Sequence, residues 1–251
     1  MHYTNADIEY WLEKVLGSDE IEGLFVDDGI VDSYVQPTDY PIYTNLSTKN
    51  AATLDIDGAE VLAGATKLVI IPQKRNYVIK IPFTGTYHCE RGEYDEDWNW
   101  ISYDNPEVKF VSYTNNDVCD EEICLYSELS ELTQSLVANN KFVFYYGNIP
   151  IYIQEKAYVA TGYIDEDEIF PKYTKSRVEI AKKLKFYYHR YCCGFILRMM
   201  DTYGIKNTCN ILDEVNENIS DLHDENYGYR KDGSCLIFDT AGYSKSQWRN
   251  Y

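Results

Sequence analysis

The chain lacks the features that define several large protein classes. No apolar run approaches the roughly 20 residues that span a bilayer. Residues 1–17 contain acidic residues and lack the basic and apolar stretches of a signal peptide. The seven cysteines are an odd number without Cys-x-x-Cys pairs, so no disulfide framework is indicated. We therefore expect a cytoplasmic protein with reduced thiols and no membrane partner.

Basic residues are scarce. The 23 Lys and Arg residues stand against 41 Asp and Glu residues, which gives a formal net charge of -18. Such a charge repels nucleic-acid phosphates and anionic lipids, and no long basic run overrides it, so we expect no nucleic-acid partner. Hydrophobic residues make up 45% of the 251 residues, enough for the core of one two-lobed domain or of two small ones.

Periodicity predicts most of the regular structure in the first half of the chain. Apolar residues at helical spacing predict a helix between Asn5 and Gly17, which supply start and stop signals. An irregular covering segment is expected up to residue 57. Two apolar segments around the polar turn 73–76 predict an antiparallel hairpin over 59–81. Residues 84–116 are acidic and aromatic, and we interpret them as an inserted loop or small excursion.

The second half alternates helical patterns with hairpins. Its predicted elements are a helix over 121–132, a hairpin over 142–154, a long buried helix over 173–203 that stops at Gly204, a helix over 207–216 and a short hairpin over 227–239.

Three residues near the C-terminal hairpin carry the types of side chain that phosphoryl transfer needs. Asp221 and Asn226 lie five positions apart, and Asp239 follows the predicted hairpin. Transfer from ATP requires a carboxylate that orients the attacking hydroxyl and oxygen ligands that hold magnesium against the phosphates. Asp221, Asn226 and Asp239 are the right three residue types for this chemistry.

At these residues the sequence resembles protein kinases and their aminoglycoside-kinase-like relatives. Their catalytic loop places a base Asp five residues before a metal-binding Asn, and a short hairpin then delivers a second metal-binding Asp in a DFG-type motif. Asp239-Thr240-Ala241-Gly242 looks like a variant of that motif. The resemblance therefore implies that Asp221 is the base and that Asn226 and Asp239 are the metal ligands. The resemblance implies an α+β, two-lobed protein-kinase-like fold that binds ATP and Mg. Its N-lobe is an antiparallel sheet with one main helix, and its C-lobe is reduced and mostly helical.

The resemblance also divides the chain. It implies an N-terminal helix and covering segment over 1–57, an N-lobe over 58–157 with the insertion 84–116, and a reduced C-lobe over 158–251. The N-lobe strand Val78-Ile79-Lys80 is similar to the kinase strand whose lysine contacts the α and β phosphates. Glu122 is the glutamate that we expect to pair with Lys80, with Glu121 and Glu128 as alternatives.

Two further segments correspond to nucleotide-binding parts of the family. The position of the glycine-rich loop is occupied by Gly64, Thr66 and Lys67, and that of the interlobe hinge by Gln154, Glu155 and Ala157. The sequence also departs from the family pattern. The phosphate loop has one glycine instead of three, and Ile219-Ser220 stands in place of the usual His-Arg. Because few residues follow Gly242, we expect no activation segment. We therefore compare it with small kinase-like proteins of bacteria and phages.

Other readings explain fewer residues. Asp239-Thr240-Ala241-Gly242 also resembles a GTPase motif, but the chain contains no Gly-x-x-x-x-Gly-Lys-Ser/Thr loop. A zinc site from His88, Cys89, Cys119 and Cys124 fits no common ligand spacing. Core packing explains the pair Cys192-Cys193 and the nearby His189 better than nucleophilic catalysis does.

Two functions follow from these patterns. The first is an ATP- and magnesium-dependent phosphotransferase that acts on a hydroxyl of an unidentified protein or small-molecule acceptor, in which His223 assists catalysis or is an ordinary loop residue. The alternative is a pseudokinase that binds a protein partner. Retention of Lys80, Asp221, Asn226 and Asp239 favours catalysis, and the missing glycines favour the binding module.

Overall fold

The computed structural model describes residues 3–18, 42–44, 53–56, 58–63, 66–89, 92–102, 108–115, 117–159, 169–219, 222–223 and 226–240. The fold is α+β, as predicted, with several helices and an antiparallel sheet whose main path has six strands. The chain forms two compact units. The first consists of 1–117 with 142–153, and the second of 118–141 with 154–251. No described helix is both long and apolar enough to cross a bilayer.

The first unit consists of one helix and a sheet. Its elements are α1 (Asn5–Leu16), β1 (Ile42–Thr44), β2 (Thr53–Ile56), β3 (Ala59–Ala63), β4 (Lys67–Pro72), β5 (Tyr77–Cys89), β6 (Gly92–Tyr94), β7 (Trp100–Ser102), β8 (Val108–Asn115), β9 (Lys141–Tyr146) and β10 (Ile149–Glu155), whose last two residues belong to the second unit. The strand order is β2-β3-β4-β5-β10-β9, and β1 and β8 pair with the far part of β5.

The two hairpins predicted for this unit are confirmed. β4 and β5 pair antiparallel with Ile70 opposite Ile79, because the polar turn between them separates two apolar segments. The β9–β10 turn contains Gly147 at φ 58°, a backbone conformation that glycine adopts without steric cost. Buried Ile, Leu and Val side chains from the sheet and from α1 form one core.

Of the two interpretations of 84–116, a loop is wrong for the described part of the segment, whereas a small excursion stays a prediction. β5 continues to Cys89 and pairs antiparallel with β8, with a register shift between Thr86 and Tyr87. β6 and β7 pair with each other in a hairpin that is not part of the main sheet. The strands 83–89 and 108–115 are rich in Thr, Tyr and Val, which favour strands, whereas the loop interpretation followed the acidic residues between them.

Helix α1 packs on the sheet of the first unit through fully buried Ile8, Leu12 and Val15. Its N-cap is Thr4, not the predicted Asn5, because the Thr4 side chain accepts a hydrogen bond from the Asp7 amide. The helix ends at Gly17 as predicted. The Arg75 guanidinium forms two hydrogen bonds to Asp7, at 2.8 and 2.6 Å, and so holds the pKa of that carboxyl below its usual value.

The second unit is mostly helical. Its elements are α2 (Val118–Glu128), α3 (Glu131–Gln134), β11 (Tyr158–Val159), a 3-10 turn (Phe170–Lys172), α4 (Lys175–Tyr187), α5 (Cys193–Asn218), β12 (Tyr227–Tyr229) and β13 (Cys235–Ile237). β11, β12 and β13 form a three-stranded sheet. The predicted helix over 121–132 is in fact two helices, because the Ser130 side chain caps the start of α3.

The single long helix predicted over 173–203 is also wrong. The chain leaves the helix at Tyr188, whose φ and ψ are -114° and 60°, and a new helix starts after Cys192. The Cys192 thiol accepts a hydrogen bond from the Phe195 amide at 3.4 Å and caps α5. Gly204 interrupts α5 at φ 75°, where the sequence predicted a stop, and the predicted helix over 207–216 is the rest of α5.

Candidate functional site

The hairpin of β12 and β13 brings two of the predicted site residues close together along the backbone. The strands pair antiparallel, with Tyr227 opposite Ile237. One step beyond the strands, the Phe238 amide donates to the Asn226 carbonyl at 3.0 Å. Asp239 follows Phe238 directly, so Asn226 and Asp239 lie at the same open end of the hairpin. Asn226 is 5% exposed and Asp239 is half-buried.

The hairpin is anchored in the second unit from several sides. The Tyr227 ring is buried against Phe195, and its hydroxyl accepts a hydrogen bond from the Cys192 amide at 3.0 Å. Ile237 forms backbone hydrogen bonds in both directions with the 136–138 segment, at 2.9 and 2.7 Å. These contacts fix the backbone on which Asn226 and Asp239 stand, so their positions depend on packing rather than on the turn alone.

Arg230 connects this hairpin to β10. Its guanidinium donates to both carboxylate oxygens of Glu155, at distances of 2.8 to 3.1 Å, and also to the Cys235 carbonyl. Burial lowers the pKa of Arg230, but the Glu155 carboxylate outweighs this effect and the net shift is upward. The Glu155 side chain is therefore held by an ion pair that the sequence analysis missed. The predicted contact of its backbone with adenine stays a prediction.

Lys80 lies on β5 of the first unit, opposite Val69 of β4, and is only 3% exposed. The strand pattern that predicted β5 explains this placement, since Tyr77, Ile79 and Ile81 enter the core and leave Lys80 on the other face of the sheet. Lys67 on β4 is also buried, and Thr66 is half-buried. Gly64 lies outside the described residues.

Glu122 is the buried member of the three glutamates considered as partners of Lys80. It is 2% exposed on α2, whereas Glu121 is half-buried and Glu128 is exposed. Its carboxylate accepts a short hydrogen bond from the side-chain amide of Asn140, which is itself buried. No sequence signal distinguished Asn140. The pairing of Glu122 with Lys80 stays a prediction.

Four predicted site residues remain. Gln154, Ala157 and His223 lie in the described part of the chain, and Asp221 does not. The buried Gln154 donates its side-chain amide to the Ala138 carbonyl at 3.2 Å, and the predicted contact of its backbone with adenine stays a prediction. Ala157 is half-buried and His223 is exposed, and the His223 carbonyl accepts a hydrogen bond from the Asn226 amide at 3.0 Å. Asp221 lies outside the described residues, so its predicted role as the base stays a prediction.

The oxygen donors at the hairpin end suit magnesium, which prefers carboxylate and amide oxygens to nitrogen or sulfur ligands. The side chains of Asn226 and Asp239 would hold it, and the ion would neutralise phosphate charge there. Among the described residues, no group of three His, Cys, Asp or Glu side chains could hold a metal ion by itself. Cys119 is buried, as expected of a packing residue.

No protein-family model matches the chain, and no curated protein or solved structure matches it either. The assignment of the site therefore depends on the residues and their local geometry.

Proposed function

We propose that the chain is an ATP- and magnesium-dependent phosphotransferase of the protein-kinase-like superfamily, with two lobes, that acts on a hydroxyl of a protein or small-molecule acceptor. The observation that carries this proposal is the backbone hydrogen bond between Phe238 and Asn226. It holds two magnesium-type ligands, Asn226 and Asp239, at one end of an anchored hairpin, in the order and spacing of the kinase families.

Each proposed residue has a distinct role. Lys80 neutralises the α and β phosphates, Glu122 orients Lys80, and Asp221 orients the acceptor hydroxyl for in-line attack. Asn226 and Asp239 hold the magnesium ion. Most of the rate enhancement then comes from positioning and from stabilisation of charge on the transferring phosphoryl group, because the protein forms no covalent bond to it.

Nucleotide binding is the property to test first. The melting temperature would be measured with and without ATP and magnesium chloride for the wild type and for Asp239→Asn, which keeps the shape of the side chain and removes its charge. At 100 times the Kd, a ligand bound only by the folded state stabilises by about 2.7 kcal/mol. This corresponds to about 5–10 °C for a chain of this size.

Glu217→Gln is the matched control, because Glu217 is an exposed carboxylate on α5 of the same unit. We expect a magnesium-dependent shift in the wild type and in Glu217→Gln, and its loss in Asp239→Asn. No shift at millimolar nucleotide in any variant would refute the proposal. A shift in melting temperature without transfer of labelled γ-phosphate, either to an acceptor or to the chain itself, would favour the pseudokinase. The single glycine of the phosphate loop already favours that alternative.

A further inference from the structure

The hairpin of β6 and β7 carries an acidic, aromatic tip. Its turn is organised by Asp95, whose carboxylate accepts hydrogen bonds from the Asp97 and Asn99 amides at 2.9 and 2.8 Å. These bonds lower the pKa of Asp95 and keep it charged. Glu96 and Asp97 are exposed. Trp98 is 81% exposed and has a φ of 62°, a conformation that is rare for a bulky residue.

An exposed tryptophan held in such a conformation is unusual in a folded chain. Trp side chains contribute a large apolar area and are enriched among the residues that dominate the binding energy of protein interfaces. The tip therefore has the composition of a binding element: one large ring, on a backbone held by the Asp95 turn, beside the three carboxylates of residues 95–97.

Helix α4 of the second unit has the opposite charge. Residues 172–190 contain seven of the chain's 23 Lys and Arg residues and one acidic residue, Glu179. Lys175, Lys182 and Lys183 are exposed, and in the described part of the chain none of them forms a salt bridge.

Two aromatic rings of α4 are exposed to solvent. Phe186 is 86% exposed and Tyr187 is 82% exposed. Phe186 follows Lys182 by four positions and Lys183 by three, so helix geometry places its ring beside both lysines. The buried residues of α4 lie on the other side, where Ala181 and Leu184 contact the core of the unit. Phe186 and the two lysines therefore lie away from the buried side of α4, although the Lys182 ammonium also lies over the Phe170 ring, 5.2 Å from its centroid.

We propose that the acidic tip of one molecule, Asp95–Trp98, binds the basic face of α4, formed by Lys175, Lys182, Lys183 and Phe186, on a second copy of the chain. The two surfaces match in charge, and each provides an exposed ring. Both rings are more than four-fifths exposed, so each is accessible to another molecule. This contact does not depend on the proposed phosphotransferase activity.

A second copy fits the basic face better than a nucleic acid or an anionic membrane does. The chain as a whole carries a charge of -18, which repels long polyanions and charged surfaces. The same net charge acts between two copies, but charges more than about 8 Å apart are screened at physiological salt, and the small tip brings an exposed ring to Phe186 together with its carboxylates. Because each copy carries both surfaces, reciprocal pairing gives a twofold dimer and one-way pairing gives head-to-tail chains or rings, and the sedimentation coefficient distinguishes the two.

Sedimentation velocity over a range of protein concentrations at 50 and 500 mM NaCl tests this contact. We expect reversible self-association at low salt that weakens about tenfold at high salt. Two charge reversals probe the two surfaces: Lys182→Glu with Lys183→Glu on the helix, and Glu96→Lys with Asp97→Lys on the tip. Each double variant should be monomeric alone, since its two surfaces then carry the same sign.

An equimolar mixture of the two double variants is the decisive sample. Each tip then finds a helix face of opposite sign on the other variant, so association should return, although both variants remain acidic overall. Phe186→Ser is expected to weaken wild-type association without changing the melting temperature. A chain that is monomeric at every concentration in 50 mM NaCl, or a mixture that stays monomeric, would overturn the proposal. So would binding of the wild type to single-stranded DNA or phosphatidylserine vesicles in place of self-association.

Discussion

Replacement of Glu214 by alanine should destabilise the second unit by about 2 kcal/mol. The Glu214 carboxylate on α5 accepts hydrogen bonds from the Ser130 amide at 2.7 Å, from the Ser130 hydroxyl at 2.6 Å and from the Thr133 hydroxyl. It thereby supplies a charged partner to the start of α3, where backbone amides have no partner within the helix.

The size of the effect follows from the environment of these donors. Hydrogen bonds to a charged group contribute about 1.5–3 kcal/mol each when buried. Ser130 is exposed, so water replaces part of its loss, whereas Thr133 is fully buried. The Thr133 hydroxyl keeps one other neighbour, the Ser130 hydroxyl at 3.2 Å. We therefore expect about 2 kcal/mol for the three bonds together rather than their sum.

Thermal unfolding measures this change, which corresponds to a fall of about 4–8 °C in melting temperature. Glu217→Ala is the control on the same helix. Glu217 is exposed, and its replacement should change the free energy of unfolding by no more than about 0.5 kcal/mol. Equal effects of the two substitutions would refute the reasoning, because they would show that the contacts of Glu214 contribute nothing beyond those of a surface glutamate.

The same carboxylate predicts a pH dependence. Burial raises the pKa of Glu214, but the hydrogen bonds from Ser130 and Thr133 outweigh it, so the pKa lies below its ordinary value of 4.5. A depressed pKa means that the stabilisation is present above pH 4.5 and is lost as the pH falls through the lower folded-state value. The stability difference between the wild type and Glu214→Ala should therefore shrink in acid, and a constant difference down to pH 3 would contradict this assignment.

Two further substitutions test local features of the fold. Tyr191→Phe should leave the free energy of unfolding unchanged or raise it by up to about 1 kcal/mol, because the buried Tyr191 hydroxyl has no hydrogen-bond partner among the described residues. A loss of more than about 1 kcal/mol in urea unfolding would show that this hydroxyl has a hydrogen-bond partner. Gly147→Ala should lower the free energy of unfolding by about 1 kcal/mol, because alanine is strained at φ 58° although open space surrounds the added methyl group. An unchanged midpoint of urea unfolding would contradict this prediction.

Elements marked by local signals could be predicted from the sequence. The hairpin turns contain glycine or polar clusters at the positions where the chain reverses, and α1 ends at a glycine. The break between α4 and α5 carries no such signal. Apolar residues keep their helical spacing across it, and what ends α4 is the burial of Tyr191 and the cap formed by Cys192. These are tertiary contacts, and periodicity does not contain them.

The candidate site shows the same division. The types and spacing of Asn226 and Asp239 are local properties, so the sequence indicated them. Asn140 and Arg230 act through partners distant in sequence, Glu122 and Glu155, and only the folded chain brings each pair together. A sequence pattern can indicate candidate site residues, whereas the side chains that hold residues such as Glu122 and Glu155 in place are known only from the fold.

The burial of several charged and polar residues bears on the choice between catalysis and a binding module. Lys80, Glu122 and Asn226 are each no more than 5% exposed. Burial of charged groups costs free energy unless they are paired, and apolar residues of similar volume often serve a core equally well. A protein-binding module has no chemical need for these three residues, whereas the proposed phosphotransferase assigns a role to each of them. Their burial at the positions for which the kinase resemblance implies those roles therefore favours our proposal over the pseudokinase.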